Sequence, residues 1–407
     1  MNICFQLPLV QFVLNLYIRA ICSSEPDFLD EIVKNTFRML NELSPCVIPD
    51  DLPGIESRSK ELEKLLMFDN DECVRVVGVL GMTGIGKTTV ADIVYKQNFQ
   101  RFDGYEFLED IEDNSKRYGL PYLYQKLLHK LLDGENVDVR AQGRPENFLR
   151  NKKLFIVLDN VTEEKQIEYL IGKKNVYRQG SRIVIITRDK KLLQKNADAT
   201  YVVPRLNDRE AMELFCLQVF GNHYPTEEFV DLSNDFVCYA KGLPLALKLL
   251  GKGLLTHDIN YWKKKLEFLQ VNPDKELQKE LKSSYKALDD DQKSVFLDIA
   301  CFFRSEKADF VSSILKSDDI DAKDVMRELE EKCLVTISYD RIEMHDLLHA
   351  MGKEIGKEKS IRKAGERRRL WNHKDIRDIL EHNTVHHIYS WFTSSGILFL
   401  CRPFTVP

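Results

Sequence analysis

The 407-residue sequence lacks the features that define several classes of protein. Its nine cysteines include no C-x-x-C pair, which argues against a zinc site or a disulfide framework and favours reduced thiols in the cytoplasm, with the nucleus as an alternative. The net charge of −5 provides no global basic field for nucleic acid. No internal repeat of fixed period and no low-complexity segment occurs. A repeat protein, a disulfide scaffold and a general nucleic-acid binder are therefore disfavoured.

Neither end contains the roughly 20 unbroken apolar residues that a membrane helix needs. Met1–Ile21 is apolar, but polar residues interrupt it and no basic residue precedes it, which also disfavours a signal peptide. Val385–Pro407 is mildly apolar without clear periodicity. Residues 1–26 and 385–407 are therefore treated as atypical segments, and no membrane partner is expected.

What is present is typical of a soluble globular protein, with 43% hydrophobic and 30% charged residues, and the length favours two or three domains. Short apolar runs alternate with longer amphipathic stretches in the first half. Because these runs are nearly continuous, they predict strands buried on both faces of a mostly parallel α/β sheet. The runs are Val74–Leu80, Tyr105–Leu108, Leu154–Leu158, Arg182–Thr187 and Tyr201–Pro204.

Other parts of the chain show helical periodicity. Asp27–Leu43 predicts a helix, and the proline-rich stretch that follows predicts a linker, so 27–51 is assigned as helix and linker and 52–206 as the α/β domain. After Asn207 the strand signal fades. One exception is Leu334–Met344, which predicts a small hairpin between helices, as in a winged-helix domain.

A phosphate-binding loop follows the first apolar run, where Gly81–Thr88 matches G-x-x-x-x-G-K-[ST]. Glycines let backbone N–H groups turn towards phosphates at the start of a helix, Lys87 would reach the β-phosphate and any γ-phosphate, and the Thr88 hydroxyl would bind Mg²⁺. The alternative is a glycine-rich turn with an exposed lysine. The expected contacts are Gly81, Thr83, Gly84, Ile85, Gly86, Lys87, Thr88 and Thr89.

A second metal ligand is expected at Asp159, which ends the apolar run Leu154–Leu158 as a Walker B carboxylate does. The next residue is Asn160, which can orient water but cannot accept its proton. Glu163 and Glu164 could replace a catalytic base, although they more plainly open a solvated helix. The sequence therefore predicts slow ATP hydrolysis at most, and no catalytic residue is assigned.

Five further segments complete a pattern typical of one family. With the phosphate loop they resemble, over residues 27–384, the NB-ARC nucleotide-binding region of plant TIR-type NLR immune receptors. The resemblance implies an α/β P-loop NTPase domain followed by a helical domain at 207–284 and a winged-helix domain at 285–384. The segments are Gly54–Arg58, Gly180–Arg188, Gly242–Ala246, Phe296–Phe303 and Met344–Asp346.

The resemblance also implies roles for individual residues. Ile55 lies in the segment that packs over the adenine, Pro244 touches the base, Arg188 senses the γ-phosphate and His345 contacts the β-phosphate of ADP. Taken alone, Arg188 would be an ordinary strand-end arginine and His345 a core histidine. Phe296–Phe303 is expected to pack as a buried helix, and α-helical spacing at Gly242–Ala246 predicts that Leu245 and Leu249 share a buried face.

The implied function is an ADP/ATP switch of plant innate immunity, with self-association or pairing with full-length receptors as expected partnerships. One alternative is a ring-forming ATPase with real turnover. Another is a winged-helix nucleic-acid binder that uses the basic stretch Lys357–Lys374. The resemblance stops at both ends without TIR or leucine-rich repeat segments, so no NAD cleavage is expected, and Met1–Cys22 and Val385–Pro407 are hypothesised to be read-through or the ends of a truncated product. Transcripts spanning both junctions would refute that hypothesis.

Overall fold

A computed structural model describes residues 49–131, 149–316 and 321–357, together with the backbone of two tail strands, Ser390–Ser394 and Ile397–Cys401. These two strands pair antiparallel with each other. The predicted helix Asp27–Leu43, the segment 1–26 and the basic stretch after Lys357 lie outside the described residues. The division into domains stays a prediction.

A five-stranded parallel sheet forms the first part of the described chain, as the apolar runs predict. The order β2-β3-β4-β1-β5 places β4 at the centre, and β3, β4 and β1 each have a neighbour on both sides. The central strands are almost wholly buried, which explains their continuous apolar sequence. The strands are β1 (Arg75–Leu80), β2 (Gly104–Leu108), β3 (Leu154–Val161), β4 (Arg182–Thr187) and β5 (Ala199–Val202).

The last strand differs from its prediction. The apolar run suggests Tyr201–Pro204, whereas β5 begins at Ala199 and ends at Val202. Its first two residues pair with β1 through the main chain, although Thr200 is exposed. An edge strand buries only one face, so side-chain hydropathy marks its register with β1 poorly.

Helices flank the sheet, and the one that follows the phosphate loop runs from Lys87 to Asn98. Strand β3 continues past its apolar run to Val161, and its pairing with β4 is irregular between Leu158 and Val161. Such an irregularity re-aims the side chains that lie in it, here Asp159 and Asn160. The helices are α1 (Ile55–Leu66), α2 (Lys87–Asn98), α3 (Ile111–Tyr118), α4 (Leu120–Leu131), α5 (Glu164–Leu170) and α6 (Lys190–Asn196).

A helical region begins at Asn207, where the strand signal fades. The Asn207 side chain accepts a hydrogen bond from the Glu210 N–H and caps the first of these helices. Trp262 is 1% exposed and packs against Phe215 and Phe236 in the core. The helices are α7 (Asp208–Phe220), α8 (Val230–Ala240), α9 (Pro244–Leu254), α10 (Ile259–Val271) and α11 (Lys275–Lys286).

The expectation that Leu245 and Leu249 form the buried face of α9 is wrong. Both are half-buried. The helix packs against α7 and α8, and the side chains that it buries are those of Ala246, Leu247, Leu250 and Leu254. Leu245 instead lies against the phosphate loop, as described below.

The final helical region contains the predicted hairpin. Strands β6 (Thr336–Ser338) and β7 (Arg341–Glu343) pair antiparallel across Tyr339 and Asp340, which both have positive φ, as in a tight two-residue hairpin turn. Residues 296–303 are mostly buried, as expected, but the helix changes to a π-helical turn at Ile299–Phe303. The helices are α12 (Asp290–Asp298), α13 (Ala308–Leu315), α14 (Ala322–Glu331) and α15 (Asp346–Lys357). Among the described residues, no helix has both the length and the apolar character needed to cross a membrane.

Candidate nucleotide-binding site

The loop Gly81–Gly86 connects the carboxyl end of β1 to the start of α2 at Lys87. Gly84 and Gly86 have φ of +80° and +99°, a region that side chains with a Cβ rarely adopt. The first N–H groups of a helix have no partner within the helix, and they carry the positive end of its dipole. The loop therefore has the backbone form of a phosphate site.

Lys87 folds back onto its own loop. Its Nζ donates to the carbonyl oxygens of Gly81 and Met82 at 2.8 and 3.0 Å. Burial and, to a smaller extent, the nearby Arg188 guanidinium lower the pKa of Lys87 from 10.5 to about 8. An arriving phosphate would offer this amine the opposite charge that the loop carbonyls provide only in part.

The two predicted metal ligands are adjacent, because the Thr88 hydroxyl donates to Asp159 Oδ1 at 2.9 Å. Asp159 is 9% exposed, and burial raises the pKa of its carboxyl group against the opposing effects of Thr88 and Lys87. Hydroxyl and carboxylate oxygens beside a phosphate loop suit Mg²⁺, which takes its remaining ligands from phosphates and water. Within the described ranges no cluster of three or more acidic, histidine or cysteine side chains could hold a metal by itself.

The side-chain amide of Asn160 is already engaged by two acidic side chains. It has a φ of +55°, and its Nδ2 donates to Asp110 Oδ1 at 2.8 Å and to Glu112 Oε2 at 3.4 Å. Glu163 and Glu164 form the start of α5, as predicted, where Glu163 is the N-cap and Glu164 pairs with Lys195. These contacts are consistent with the expectation of slow hydrolysis at most.

Arg188 lies directly after β4 and reaches the phosphate loop. Its Nη1 lies 3.3 Å from Ser284 Oγ and 3.5 Å from Thr83 Oγ1, while Thr83 and Ser284 are themselves 2.6 Å apart. Its Nη2 forms a 3.1 Å ion pair with Glu112 Oε2. The arginine is thus positioned between the loop, helix α11 and an acidic side chain.

The loop also contacts α9. The Leu245 N–H donates to the Gly84 carbonyl oxygen at 3.2 Å, and a Cβ on Gly84 would lie 2.6 Å from Leu245 Cβ. Pro244 occupies the first turn of α9, where its missing N–H costs no hydrogen bond. Pro244, the predicted base contact, therefore directly precedes Leu245, which binds the phosphate loop.

Ile55 begins α1 and is 7% exposed. The helix is anchored by Arg58, which pairs with Glu210 of α7 at 2.9 Å and donates to the Arg205 carbonyl. The segment Gly54–Arg58 is therefore held against the start of the helical region.

His345 lies at the start of α15 and is 4% exposed. Its Nδ1 accepts from the Leu347 N–H at 3.2 Å, so the ring proton resides on Nε2. Burial lowers the pKa of His345 to about 4, and Arg205 adds to this effect, so the ring is neutral at pH 7. A phosphate would meet a hydrogen-bond donor here, not a cation.

A cavity of about 640 Å³ lies between the first residues of the phosphate loop and His345. Its lining does not include the other predicted site residues Ile55, Lys87, Thr88, Asp159, Arg188 and Pro244. Its size falls within the roughly 300–1,000 Å³ range of small-molecule sites. It brings the phosphate loop and His345 to one space, which the sequence could not establish. The lining includes Gly81, Met82, Ile85, Arg205, Lys241, Arg304, His345 and Asp346.

Two families of protein domain match the chain. Residues 55–224 match the NB-ARC domain, and residues 289–360 match the winged-helix domain of Roq1-like disease resistance proteins. The chain carries the NB-ARC region of TIR-type plant disease resistance proteins.

The relatives of this NB-ARC chain include the disease resistance-like protein DSC1 of Arabidopsis thaliana, 44% identical over 90% of this chain and 32% of that protein. The disease resistance protein RUN1 of Vitis rotundifolia is 39% identical over 86% of this chain and 27% of its own length. TMV resistance protein N of Nicotiana glutinosa is 38% identical over 89% and 32%. The chain thus spans about a third of these relatives.

The Walker-type ATPase of Pyrococcus abyssi shares the fold. It superposes with a TM-score of 0.52 at 14% identity, covering 78% of this chain and all of that one. The likeness agrees with the P-loop NTPase architecture of the NB-ARC domain.

Several polar residues around the NB-ARC site carry no motif and escape sequence reasoning. Glu112, Ser284 and Arg205 are examples, since each reaches the site through tertiary contacts. One signal was available for Glu112: it follows the end of β2, and ligands of open α/β sheets bind at the carboxyl ends of the strands.

Acid should destabilise the protein through His345. Its folded pKa of about 4 lies below the ordinary 6.5, so the unfolded chain binds more protons between these values, and stability falls as the pH drops through this interval. Between pH 7 and pH 5 we expect the unaltered protein to lose about 2 kcal/mol more than the His345→Gln protein, measured by urea unfolding. Burial also lowers the pKa of His349 to about 4, and the loss through His349 is common to both proteins. The control is His223→Gln, at an exposed position. Equal pH sensitivity of the unaltered and His345→Gln proteins would contradict the assignment.

Proposed function

We propose that this chain binds ADP and ATP with Mg²⁺ and acts as a nucleotide-dependent switch within a plant innate immune receptor. One observation carries the proposal: a single cavity is lined by the phosphate loop and by His345 of the winged-helix region. A nucleotide in that cavity would contact both, so its identity can bias their arrangement. A ligand shifts such an equilibrium only by its difference in affinity for the two states.

In this proposal each predicted site residue has a role. Lys87 and the loop amides would hold the phosphates, Thr88 and Asp159 the metal, Ile55 and Pro244 the base, and Arg188 the γ-phosphate. His345 would donate to the β-phosphate of ADP through Nε2. A hydrogen bond to a charged group contributes about 1.5–3 kcal/mol, which corresponds to roughly ten- to hundredfold in a two-state equilibrium.

The site favours binding over turnover because Asn160 stands after Asp159 and its amide is engaged by Asp110. A ring-forming ATPase is therefore the weaker reading, and the net charge of −5 weakens that of a nucleic-acid binder. Steady-state hydrolysis faster than about 1 s⁻¹ would overturn the switch proposal in favour of an enzyme.

Mass spectrometry of nucleotide released from the purified chain tests the proposal directly. We expect ADP in near-stoichiometric amount. A folded protein that carries no nucleotide and shows no affinity for ADP or ATP in the presence of Mg²⁺ would refute it. The proposal extends to self-association or pairing with a full-length receptor, in the cytoplasm or nucleus. Light scattering of the purified protein with each nucleotide would measure self-association.

Proton uptake should accompany nucleotide binding. The pKa of Lys87 is about 8, and phosphate charge would raise it, so nucleotide binding at pH 8 should take up about half a proton and at pH 7 about one-tenth. Calorimetry in buffers of different ionisation enthalpy measures this quantity. Lys87→Arg, which keeps its charge throughout, should abolish the difference between the two pH values. Uptake that is the same at pH 7 and pH 8 would contradict the predicted role of Lys87.

A further inference from the structure

The carboxylate of Glu112 holds the arginine that faces the phosphate loop. Glu112 lies in the first turn of α3, and its Oε2 is 3.1 Å from Arg188 Nη2. The two side chains are only 20% and 19% exposed, so solvent screens this ion pair less than a surface pair. Glu112 belongs to no phosphate-binding motif.

Other contacts fix the carboxylate in this position. Lys116, one turn further along α3, donates to Glu112 Oε1 at 2.8 Å. Asn160 Nδ2 approaches Oε2 at 3.4 Å from the irregular segment of β3. Because both oxygens have partners, the carboxylate is oriented before any ligand arrives.

The guanidinium of Arg188 faces two ways. One nitrogen pairs with Glu112, and the other lies within 3.5 Å of Thr83 Oγ1 in the phosphate loop. A terminal phosphate near the loop and the Glu112 carboxylate therefore compete for one cation. Both are oxygen anions, one a planar carboxylate and the other a tetrahedral phosphate, and a guanidinium can bind either through paired donors.

We propose that Glu112 is a specificity-determining residue that competes with the γ-phosphate for Arg188 and so favours a nucleoside diphosphate over a triphosphate. The inference rests on the proposed nucleotide binding. With ADP, the Arg188–Glu112 pair stays intact. With ATP, Arg188 leaves Glu112, and the freed carboxylate lies near the added phosphate charge.

The test compares affinities for ADP and for a non-hydrolysable ATP analogue, both with Mg²⁺, by titration calorimetry on the full chain. Glu112→Gln removes the charge and keeps the shape. We expect the ratio of ATP-analogue affinity to ADP affinity to rise about tenfold. Without the Glu112 charge, Arg188 no longer has to give up a charge-assisted contact in order to bind the γ-phosphate. Affinity for ADP should change less than twofold.

The matched control is Asp113→Asn. Asp113 lies in the same first turn of α3, so the change in helix-dipole interaction is similar, but its nearest cation is Arg117 and it is largely exposed. This control should leave the affinity ratio within twofold. A ratio that rises equally in both variants would overturn the proposal, because a general change of charge would then explain it.

A double-mutant cycle with Arg188→Ala gives a second criterion. In the Arg188→Ala background, Glu112→Gln should no longer alter the ratio by more than twofold, because the shared cation is gone. A tenfold effect that persists there would overturn the proposal. If Glu112→Gln does not fold, Glu112→Asp, which withdraws the carboxylate by one methylene, should shift the ratio in the same direction.

The outcomes separate this inference from the proposed function. If the unaltered chain binds neither nucleotide, the proposed function fails. If it binds both and the Glu112→Gln ratio is unchanged or falls, nucleotide binding stands and the competitive role of Glu112 is wrong.

Discussion

Lys87→Ala protein should purify without nucleotide, whereas the unaltered chain carries ADP. Lys87 is the half-buried cation of the phosphate loop, and its Nζ donates to the carbonyl oxygens of Gly81 and Met82. Losing a charge-assisted contact of about 1.5–3 kcal/mol weakens binding by roughly ten- to hundredfold, enough for ADP to be lost during purification. Mass spectrometry of the released nucleotide and titration with ADP measure the two effects.

The control for this change is Lys96→Ala, in the last turn of the same helix, where the lysine is exposed. That protein should retain ADP. Circular dichroism should show that Lys87→Ala remains folded, since the substitution removes a charge whose burial is unfavourable. Equal ADP content in the Lys87→Ala and unaltered proteins would rule out the phosphate loop as the nucleotide site.

Gly84→Ala should lower the free energy of unfolding by about 2–5 kcal/mol. The backbone at Gly84 is left-handed, and a Cβ in that conformation costs about 1–2 kcal/mol. The added Cβ would also overpack against Leu245, which costs about 1–3 kcal/mol. The substitution also displaces the carbonyl that accepts from Leu245 N–H. Urea unfolding of nucleotide-free protein measures the effect, and ADP affinity should fall more than tenfold.

Gly221→Ala is the matched control. Gly221 has a similar φ of +69°, but a Cβ there meets no atom within 4 Å. It should therefore show the backbone cost alone, about 1–2 kcal/mol. If the two substitutions cost the same, the loop and α9 are not in the close contact that the structure describes.

Local pattern was sufficient for the sheet and the phosphate loop. Strands buried on both faces read as apolar runs, so β1, β3 and β4 were predictable to within three residues at each end. The loop was predictable because its glycines, Lys87 and Thr88 all lie within eight consecutive residues of the sequence. At the edge strand β5, where only one face is buried, the prediction slipped by two residues.

Contacts between distant residues were not predictable in the same way. Arg188 was selected by resemblance, but its partner Glu112 lies 76 residues away, and Thr83 meets Ser284 across 201 residues. The half-buried position of Leu245 has the same origin, since helical periodicity cannot show which loop a helix end will touch. Such pairings depend on how the elements pack.

The hydrogen bonds from the phosphate loop to Ser284 and Leu245 have a kinetic consequence. Opening the loop to let a nucleotide escape disturbs the first turn of α9 and the last turns of α11 together. We therefore expect the nucleotide dissociation rate to depend in part on Ser284 and on the main chain at Leu245, through their contacts with the loop.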